Sequence, residues 1–500
     1  MNIALDHRAS KSARDFLAQD RKLFIDGAFV DAASGKTFPV YDPATGKVIA
    51  QVAEADKEDV DRAVRAARKA FDEGPWRKQM TGAERGKLMW KLADLIEANH
   101  EQFAELESID NGKPLSVARV ADIPHVINMF RYMSGWTTKI GGQTLPWSGL
   151  NQFFSYTSRE PIGVVGMIVP WNFPLLMATW KLAPALAAGC TMVIKSAEQT
   201  PLSLVRFAEL VQEAGFPKGV VNVLAGYGET AGAAIAAHDQ VDKVSFTGSG
   251  EVGRLVLKAA AGNLKKVTLE LGGKSPMIVL PDADIDHTVP GAASAIFFNQ
   301  GQTCCAGSRL YAHKKIFDKV VEGVANEARK IKVGHGLDPA TTMGPLVSDE
   351  QYKRVKGYID SGLEAGATAL AGGKVIGGDG GYFVKPTVFV DTNPNMKVVR
   401  EEIFGPVLVA EPFDDNDLEQ IAKEANSTEF GLAASVWTKD LSKAHKLSNL
   451  LQAGSVWVNC HNVLDPSLPF GGYKQSGWGR EMGDVAIEHF TELKAVTIKL

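Results

Sequence analysis

Residues 243–270 read KVSFTGSGEVGRLVLKAAAGNLKKVTLE: a β-branched run, a glycine-rich turn, an amphipathic helical pattern and a second apolar run. This order is typical of a β-α-β unit. Glycines at 248, 250 and 253 spell G-x-G-x-x-G, and Glu270 comes twenty residues after the second of them. Such glycines let the backbone approach a pyrophosphate at a helix N-terminus, and an acid at this distance can bind ribose. The stretch therefore predicts a nucleotide-binding α/β sheet, although a glycine-rich turn without a ligand fits the same letters.

The same alternation extends over residues 163–270. Four helical patterns separate five apolar runs, which read GVVGMIV, TMVIK, VVNVL, KVSF and KVTLE. Strands joined by helices in this way favour a parallel, doubly wound sheet whose strands are buried on both faces. The letters EAGFPKG place Gly215 just past one helix and Pro217 beyond it, which is a normal helix stop.

A second α/β pattern begins after Pro276. Helical segments such as KIFDKVVEGVANEARKIK are interspersed with the apolar runs PMIVL, SRLYAH, TVFV, PVLVA, ASVWT and GSVWVN. We expect a first α/β domain from residues 1–138 and 161–273 and a second from residues 274–482. The remaining segments, 139–160 and 483–500, contain polar-faced strand patterns that would leave an open sheet edge unless another chain covered it. They predict a small β segment for oligomerisation, and an ordered tail on its own sheet is the alternative.

Composition excludes several classes of protein. The chain has 500 residues, 45% hydrophobic and 22% charged, as expected of a globular protein with roughly two to four domains. A net charge of −4 gives no basic surface for nucleic acid. Four scattered cysteines without a CxxC pair predict neither a disulfide framework nor a metal site. No apolar leader or membrane span is visible, so we expect a cytoplasmic protein that binds no membrane.

Two cysteines stand side by side, at 304 and 305, in the stretch FFNQGQTCCAGSR (297–309). Adjacent thiols can be a metal pair, a redox pair, two small core residues, or one nucleophile with a bystander. Glu270 raises a similar question, because it ends a strand at the sheet edge where α/β proteins place their chemistry. It can serve catalysis, bind ribose or only tie down the Gly-Gly turn. The residues alone leave these alternatives open.

Seven motifs occur in order along the chain: PWNFP (170–174), KSAEQTP (195–201), FTGSGEVG (246–253), LELGGKSP (269–276), GQTCCAGSR (301–309), EEIFGP (401–406) and PFGGYKQSGWGRE (469–481). Together they closely resemble the NAD(P)-dependent aldehyde dehydrogenase superfamily over nearly the whole chain. Within this superfamily, the details of the sequence resemble the branch of broad-specificity and phenylacetaldehyde-type enzymes. The resemblance implies a Rossmann-like doubly wound cofactor domain, a second α/β catalytic domain, and a small β segment that joins subunits into homodimers or homotetramers.

The resemblance assigns the nucleophile to Cys304, three residues after the glycine of the GQ-x-C pattern. It makes Glu270 the general base for the hydrolytic water. Asn172 becomes the amide that, with the Cys304 backbone N–H, stabilises the oxyanion. A thiol suits this role because it adds to an aldehyde and later leaves a thioester more easily than a hydroxyl leaves an ester. No metal is implied.

For the cofactor the resemblance implies NAD, with NADP the less favoured alternative, bound in a mode that does not follow the usual glycine roles. Lys195 and Glu198 correspond to contacts with the adenosine ribose, where a carboxylate would repel a 2′-phosphate. Glu402 and Phe404 correspond to contacts with the nicotinamide half. The complete expected set is Val169, Trp171, Lys195, Glu198, Gly228, Phe246, Gly248, Ser249, Val252, Leu271, Gln351, Glu402 and Phe404.

The same resemblance places an apolar substrate pocket around the thiol, lined by Phe173, Met177, Trp180, Thr303, Cys305, Leu464 and Phe470. Such a pocket suits aromatic or medium-chain aldehydes, and phenylacetaldehyde-like compounds are the first expectation. Two alternatives stay open. One is a CoA-acylating aldehyde dehydrogenase, which Glu270 disfavours because transfer to CoA needs no hydrolytic base. The other is a catalytically silent relative that binds NAD.

Overall fold

The computed structural model describes residues 7–149, 152–376, 380–414 and 417–500. The expected domains each include positions outside these ranges: residues 1–6 in the first, residues 377–379 and 415–416 in the second, and residues 150–151 in the β segment. Among the described residues, no helix is both long and apolar enough to cross a bilayer. The cysteines at 190, 304, 305 and 460 are free thiols.

The helices of the described ranges are, in chain order, α1 (Lys11–Leu17), α2 (Lys57–Asp72), α3 (Pro75–Lys78), α4 (Gly82–Ala98), α5 (His100–Asn111), α6 (Leu115–Val117), α7 (Ile123–Ser134), α8 (Pro174–Ala188), α9 (Leu202–Ala214), α10 (Ala233–Ala237), α11 (Gly250–Ala260), α12 (Ile285–Phe297), α13 (Phe317–Lys330), α14 (Asp349–Glu364), α15 (Lys397–Arg400), α16 (Leu418–Ala425), α17 (Leu441–Leu450) and α18 (Val485–Glu488). Short π-helical turns lie at Ala118–Asp122 and Gly228–Gly232. A 3-10 turn lies at Phe298–Gly301.

The strands are β1 (Leu23–Ile25), β2 (Ala28–Val30), β3 (Thr37–Asp42), β4 (Lys47–Ala53), β5 (Thr144–Leu145), β6 (Phe153–Pro161), β7 (Val164–Ile168), β8 (Thr191–Lys195), β9 (Val221–Leu224), β10 (Lys243–Thr247), β11 (Lys266–Glu270), β12 (Pro276–Val279), β13 (Arg309–His313), β14 (Thr368–Ala371), β15 (Thr387–Val390), β16 (Val407–Phe413), β17 (Phe430–Gly431), β18 (Ala433–Trp437), β19 (Ser455–Val458), β20 (Tyr473–Lys474), β21 (Gly477–Trp478) and β22 (Thr491–Lys499). They form an eight-stranded and a seven-stranded sheet, a three-stranded sheet and two short pairs, β3 with β4 and β17 with β20.

The eight-stranded sheet has the order β2-β1-β9-β8-β7-β10-β11-β21. Its parallel centre, from β9 to β11, consists of the five runs predicted within 163–270. Both faces are covered, since Met192 and Ile194 of β8 enter one hydrophobic core and Val193 enters another. Chain order reverses between β7 and β10, which is where doubly wound sheets bind ligands. The predicted Rossmann-like fold is confirmed.

Helix α9 ends as the sequence predicts. Gly215 follows its last residue with φ of 92°, and its N–H donates back to the helix. A residue without Cβ adopts this left-handed conformation at no steric cost, so the chain can leave the helix and enter β9.

The seven-stranded sheet has the order β14-β15-β16-β13-β12-β18-β19. All neighbours pair in parallel except β14, which is antiparallel to β15. The six runs predicted after Pro276 form β12, β13, β15, β16, β18 and β19, so the second α/β unit is confirmed. The letters TALA of β14 contain one β-branched residue and predict no strand.

Strand β21 connects the two units. It comes from the range expected in the second domain, yet it pairs antiparallel with β11 of the first sheet, with Glu270 opposite Gly477. The end of the second unit therefore completes an edge of the first sheet beside Glu270. The expected boundary at residue 482 stays a prediction.

The three-stranded sheet has the order β22-β6-β5. Strand β22 pairs with β6 from Thr491 opposite Pro161 to Lys499 opposite Phe153. The two segments that the sequence sets apart thus pair with each other, and β22 forms an edge of their sheet.

Candidate active site

Cys304 and Cys305 are the central residues of a β-turn that the Ala306 N–H closes on the Thr303 carbonyl at 3.0 Å. The preceding 3-10 turn contains two consecutive residues in the left-handed region, residues 299 and 300, with φ of 49° and 59°. Non-glycine residues in this region carry strain, and native structures keep such strain mainly at functional sites.

The two thiols lie in different surroundings. Cys305 is 3% exposed, and its Sγ donates to Oδ1 of Asn462 at 3.2 Å. Cys304 is half-buried. Its hydrogen bond with the Cys305 thiol raises the pKa of Cys304 well above the usual range, and burial and the charges of Glu270 and Glu402 act in the same direction. The Cys304 thiol is therefore protonated at neutral pH, and it must lose this proton to become a strong nucleophile.

Glu270 ends β11 and is 5% exposed. Its Oε2 is buried without a hydrogen-bond partner among the described residues. Burial raises the pKa of Glu270 well above the ordinary value, Glu481 raises it further, and Lys181 opposes the shift. A buried carboxyl with a raised pKa has the property that a general base needs near neutral pH.

Asn172 lies between β7 and α8 and is 3% exposed. Its Nδ2 donates to the Gln302 carbonyl at 3.0 Å, which ties it to the segment just before the cysteine turn. An amide nitrogen carries two hydrogens, and the second has no acceptor among the described residues. Asn172 therefore offers a buried N–H group near Cys304.

The end of α5 holds the segment that carries Asn172. Nζ of Lys113 donates to the Asn172 carbonyl at 3.0 Å, and Nδ2 of Asn111 donates to the Trp171 carbonyl at 2.8 Å. The Lys113 ammonium also lies 4.3 Å from the centre of the Phe173 ring. Asn111 and Lys113 thus hold three consecutive residues, 171 to 173, in place.

Buried charges support this contact. Lys113 lies 2.5 Å from Asp122 and 3.9 Å from Glu107, and all three side chains are almost completely buried. Glu107 also accepts from the N–H of Leu175, in the first turn of α8, at 2.9 Å. Burial raises the pKa of Glu107 to about 7, against the opposing charge of Lys113.

On the cofactor side, the glycine-rich turn lies at the end of β10, beside the point where strand order reverses. A Cβ at Gly248 would come within 2.5 Å of the Phe246 ring, so the backbone packs too closely there for any side chain. A Cβ at Gly250 would meet only Arg254, at 3.8 Å. The middle glycine of the literal G-x-G-x-x-G is therefore not required by packing.

Helix α11 begins in this turn. Oγ of Ser249 accepts from the N–H of Val252 at 3.2 Å and caps the helix. At Gly253 a Cβ would lie 2.8 Å from the Leu271 side chain, so helix and strand pack closely. The N-terminus of α11 carries a partial positive charge suited to a phosphate. Val252, which is 42% exposed, lies on the outer part of this turn.

Lys195 ends β8, next to the point where the strand order reverses. Its Nζ donates to the Ser196 carbonyl at 2.7 Å and lies 3.2 Å from Oε2 of Glu198. Its carbonyl accepts from the N–H of Val169 at 3.2 Å, which joins the ends of β7 and β8. Gly228 begins the π-helical turn after β9, with open space where a Cβ would be. The Glu198 side chain is 29% exposed and can meet a ligand.

The loop before β16 forms another part of the site. Oε1 of Glu402 accepts from the N–H of Gly273 at 2.8 Å, and burial raises the pKa of Glu402 to about 7. The Phe404 ring meets Trp171 edge-on, with centroids 5.2 Å apart. Nε2 of Gln351 donates to the Phe404 carbonyl at 2.6 Å, so the Gln351 amide holds this loop.

The predicted pocket residues gather around the cysteine turn. Phe173, Met177, Trp180, Cys305 and Phe470 belong to one buried core, and Cys304 and Leu464 pack against it. Trp180 contacts Phe470 at 5.2 Å between ring centroids. Thr303 is buried, and its Oγ1 has no hydrogen-bond partner among the described residues. The surroundings of the thiol are largely apolar.

Sequence reasoning missed several residues of the site, namely Lys113, Lys181, His461, Asn462 and Glu481. Lys181 pairs with Glu481 and donates to Oγ1 of Thr247 at 2.6 Å. A lysine within an otherwise apolar helix was the available signal for Lys181, because a buried charge needs a partner. Glu481 ends the motif PFGGYKQSGWGRE, but the motif alone assigned it no role. Lys113, His461 and Asn462 lie in loops where the letters show no pattern.

The fold has two α/β units, with a thiol, a buried carboxyl and a buried amide near the edge of a doubly wound sheet, as in a nucleotide-binding α/β enzyme. The model of the aldehyde dehydrogenase family matches residues 29–496. The chain belongs to the aldehyde dehydrogenase family and is an oxidoreductase of that class, so the sequence resemblance is confirmed.

Relatives of known name support this assignment. The mitochondrial aldehyde dehydrogenase of Homo sapiens is 52% identical over 481 residues, covering 96% of this chain and 92% of the relative. The NAD+ complex of a Bacillus cereus aldehyde dehydrogenase has a TM-score of 0.96 and 50% identity, covering 100% of both chains. An indole-3-acetaldehyde dehydrogenase of P. syringae, also solved with NAD+, has a TM-score of 0.94 and 44% identity, covering 98% of this chain and 99% of the other. NAD, the predicted cofactor, is bound in both structures.

Proposed function

We propose that this enzyme oxidises apolar aldehydes, aromatic or of medium chain length, to carboxylic acids with NAD, through Cys304. The observation that carries the proposal is the meeting of three groups at one site. They are the Cys304 thiol in the turn that follows two strained residues, the buried carboxyl of Glu270 whose charge acts on that thiol, and the N–H of Asn172 tied to the preceding segment. Together they provide a nucleophile, a base and an oxyanion donor.

The chain's own residues act in a fixed sequence. The Cys304 sulfur bonds to the aldehyde carbon while a base takes the thiol proton, and the carbonyl oxygen becomes an oxyanion. The second N–H of Asn172 and the Cys304 backbone N–H donate to that oxygen. NAD, when bound, would accept the hydride that leaves the thiohemiacetal carbon, and the loss of that hydride leaves the acyl group on Cys304 as a thioester. Glu270 then takes a proton from water, whose oxygen displaces the Cys304 sulfur and releases the acid.

The residues fit a dinucleotide. The capped N-terminus of α11, close behind Gly248, suits the pyrophosphate. Glu198 offers a partly exposed carboxylate for ribose hydroxyls beside Lys195. Glu402 and Phe404 lie on the loop next to Trp171, where the nicotinamide half would meet the site. The same carboxylate at Glu198 repels a 2′-phosphate, which favours NAD over NADP.

For the substrate, we infer arylacetaldehydes as the first class to test. Aromatic and aliphatic side chains surround the thiol, and flat apolar substrates gain most from such walls. The P. syringae relative is named for indole-3-acetaldehyde, an arylacetaldehyde, and this supports the choice. Leu464 is half-buried beside this core and leaves more room than an aromatic residue would.

The test is NADH formation with purified enzyme and a panel of aldehydes: phenylacetaldehyde, indole-3-acetaldehyde, hexanal and acetaldehyde. We expect the two arylacetaldehydes and hexanal to have kcat/KM about tenfold or more above acetaldehyde. Cys304→Ala should abolish turnover and retain NAD binding, while Cys305→Ala should retain measurable turnover at a lower rate, because the turn loses its contact with Asn462. Loss in Cys305→Ala alone would contradict the assignment of the nucleophile. A strict requirement for CoA would instead favour the CoA-acylating alternative.

We also propose that the three-stranded sheet joins subunits into a homodimer or homotetramer. Strand β22 is unpaired on one side among the described residues, and Leu493 and Ile498 on it are 59% and 45% exposed. An open strand edge with apolar side chains is a common site for a second copy of the same chain.

A further inference from the structure

The loop after β19, residues 459–462, contacts the cysteine turn at two atoms of Cys305, its carbonyl oxygen and its Sγ. Nε2 of His461 lies 2.8 Å from the Cys305 carbonyl oxygen. Oδ1 of Asn462 accepts from the Cys305 Sγ at 3.2 Å. This loop comes from the edge of the seven-stranded sheet, more than a hundred and fifty positions away along the chain. Both the backbone and the side chain of Cys305 are therefore held from outside the turn.

The hydrogen bonds fix the tautomer of His461. A carbonyl oxygen only accepts, so Nε2 must carry the hydrogen. A neutral imidazole has one N–H, so Nδ1 accepts from Oγ of Ser435, 3.0 Å away. The Ser435 oxygen in turn accepts from the indole N–H of Trp437 at 3.1 Å. A series of hydrogen bonds, each donated in the same direction, thus leads from Trp437 and Ser435 of β18 through His461 to the Cys305 carbonyl.

His461 is also held from its flank. The Trp457 ring lies against it, with centroids 4.8 Å apart and planes tilted by 51°. Burial lowers the pKa of His461 to about 4, so the ring stays neutral and keeps this tautomer at neutral pH. The donor aimed at Cys305 is therefore part of a rigid arrangement.

Cys305 is the neighbour of Cys304 in a turn closed by one backbone hydrogen bond between Thr303 and Ala306. A β-turn of two central residues has few independent torsions, so fixing one central residue restricts the other. Asn462 takes the hydrogen of the Cys305 thiol, which leaves that sulfur to accept from Cys304.

We propose that His461 and Asn462 are positioning residues, which hold Cys305 by its carbonyl and its thiol so that Cys304 points toward the substrate. The proposal rests on the proposed role of Cys304 as nucleophile. It gives Cys305 a use beyond that of a pocket wall, as the point by which the turn is anchored to the seven-stranded sheet.

The experiment compares His461→Leu, which removes the donor, with His461→Gln, which keeps a donor and an acceptor. For each we would measure kcat with phenylacetaldehyde, the Kd for NAD, and the ratio of Cys304 to Cys305 alkylation by iodoacetamide, read by peptide mass spectrometry. His461→Leu should lower kcat and the alkylation ratio roughly 10- to 100-fold, because small misplacements of a reacting atom have effects of this size. His461→Gln should recover both to within about threefold of the parent, and the Kd for NAD should not change in either.

His287 supplies a matched control. Its Nε2 bonds to the Asn459 carbonyl at 2.9 Å, at the start of the same loop, without contacting the turn. His287→Leu should therefore leave kcat and the alkylation ratio unchanged. If His287→Leu loses as much as His461→Leu, or if His461→Gln fails to recover, the proposal is wrong.

A second variant keeps the test decisive. If His461→Leu does not fold, Asn462→Ala takes its place, and alkylation of Cys305 should rise because its thiol loses its acceptor; unchanged labelling would overturn the proposal. Alkylation requires no aldehyde and no NAD. It therefore tests the positioning of the two thiols even if the proposed aldehydes are not substrates.

Discussion

The ammonium of Lys113 donates to the backbone carbonyl of Asn172 at 3.0 Å, while its charge is balanced by Asp122 at 2.5 Å. One buried ion pair thus supports the segment that carries the proposed oxyanion donor. Breaking a buried pair is costly, since it leaves the other charge without a partner.

Lys113→Met should lower the free energy of unfolding by roughly 3–5 kcal/mol, because Asp122 remains buried and unpaired. The double variant Lys113→Met with Asp122→Asn should recover much of this stability. Its kcat should nevertheless stay below that of the parent, because the Asn172 carbonyl has lost the Lys113 donor and keeps only the amides of Asn299, at 3.0 Å, and Asn111, at 3.4 Å. Chemical denaturation and steady-state kinetics on the same preparations check both expectations. Full activity in the double variant would contradict the link between Lys113 and the oxyanion site.

Glu270→Gln should separate the role of Glu270 as the base for thioester hydrolysis from the effect of its charge on the pKa of Cys304. Turnover should fall about a hundredfold or more, because thioester hydrolysis loses its base. Alkylation of Cys304 at a given pH should not slow and should become faster. The reason is that the Glu270 charge contributes to the raised pKa of Cys304, and its removal increases the thiolate fraction. In the parent, alkylation should accelerate as the pH rises, as expected of a thiol with a raised pKa. Slower alkylation in the variant would show that Glu270 activates the thiol directly.

Glu198→Ala should widen the use of cofactor. Without the carboxylate, Lys195 loses the partner that lies 3.2 Å away and can meet a 2′-phosphate. We expect kcat/KM for NADP to rise about tenfold while that for NAD falls, since a partly exposed charge contact is worth on the order of 1 kcal/mol. Glu229→Ala is the control, because that residue interacts with Lys195 at longer range. An equal effect of both changes would argue against a specific contact of Glu198 with ribose.

His489→Gln should make the stability less dependent on pH. Nε2 of His489 accepts from the N–H of Arg480 at 3.0 Å, and burial lowers the pKa of His489 from 6.5 to about 4. Below 6.5 the unfolded chain takes up a proton that the folded chain refuses until about pH 4. The free energy of unfolding therefore falls as the pH drops through this window. Glutamine does not titrate, so the slope between these values should be shallower by one proton in urea unfolding. An unchanged slope would mean that His489 is protonated in the folded enzyme.

Charges on the open edge should disperse the proposed oligomer. Leu493→Lys with Ile498→Lys places two positive charges on β22, where a second copy of the chain would pair. Analytical ultracentrifugation should show a smaller species than the parent. Leu441→Lys, at a position 71% exposed at the start of α17, which packs against α16 and β18, is the control. An unchanged mass in the double variant would remove β22 from the interface.

The parallel sheet was predictable because each strand is a short apolar run between helical patterns, and Gly215 marks a helix end in the letters themselves. The site was predictable only as far as motifs carry chemistry: Cys304, Glu270 and Asn172 lie in three motifs distant in sequence. Lys113 and His461 could not be predicted, because their importance lies in contacts with the carbonyls of Asn172 and Cys305. A carbonyl is present in every residue and gives no sequence signal. Strand β14 was missed because its four letters contain a single β-branched residue, and β21, with two residues, is too short to show a period.

Strand β21 has a consequence for how the chain matures on the ribosome. The five parallel strands of the first sheet are complete once residue 270 has been made, yet β11 has no partner on its outer side until Gly477 and Trp478 emerge. While roughly 200 further residues are synthesised, the outer edge of β11 and the Glu270 carboxyl at its end are exposed and can pair with strands of other chains. A nascent chain of this enzyme therefore depends on its last segments to protect its first domain.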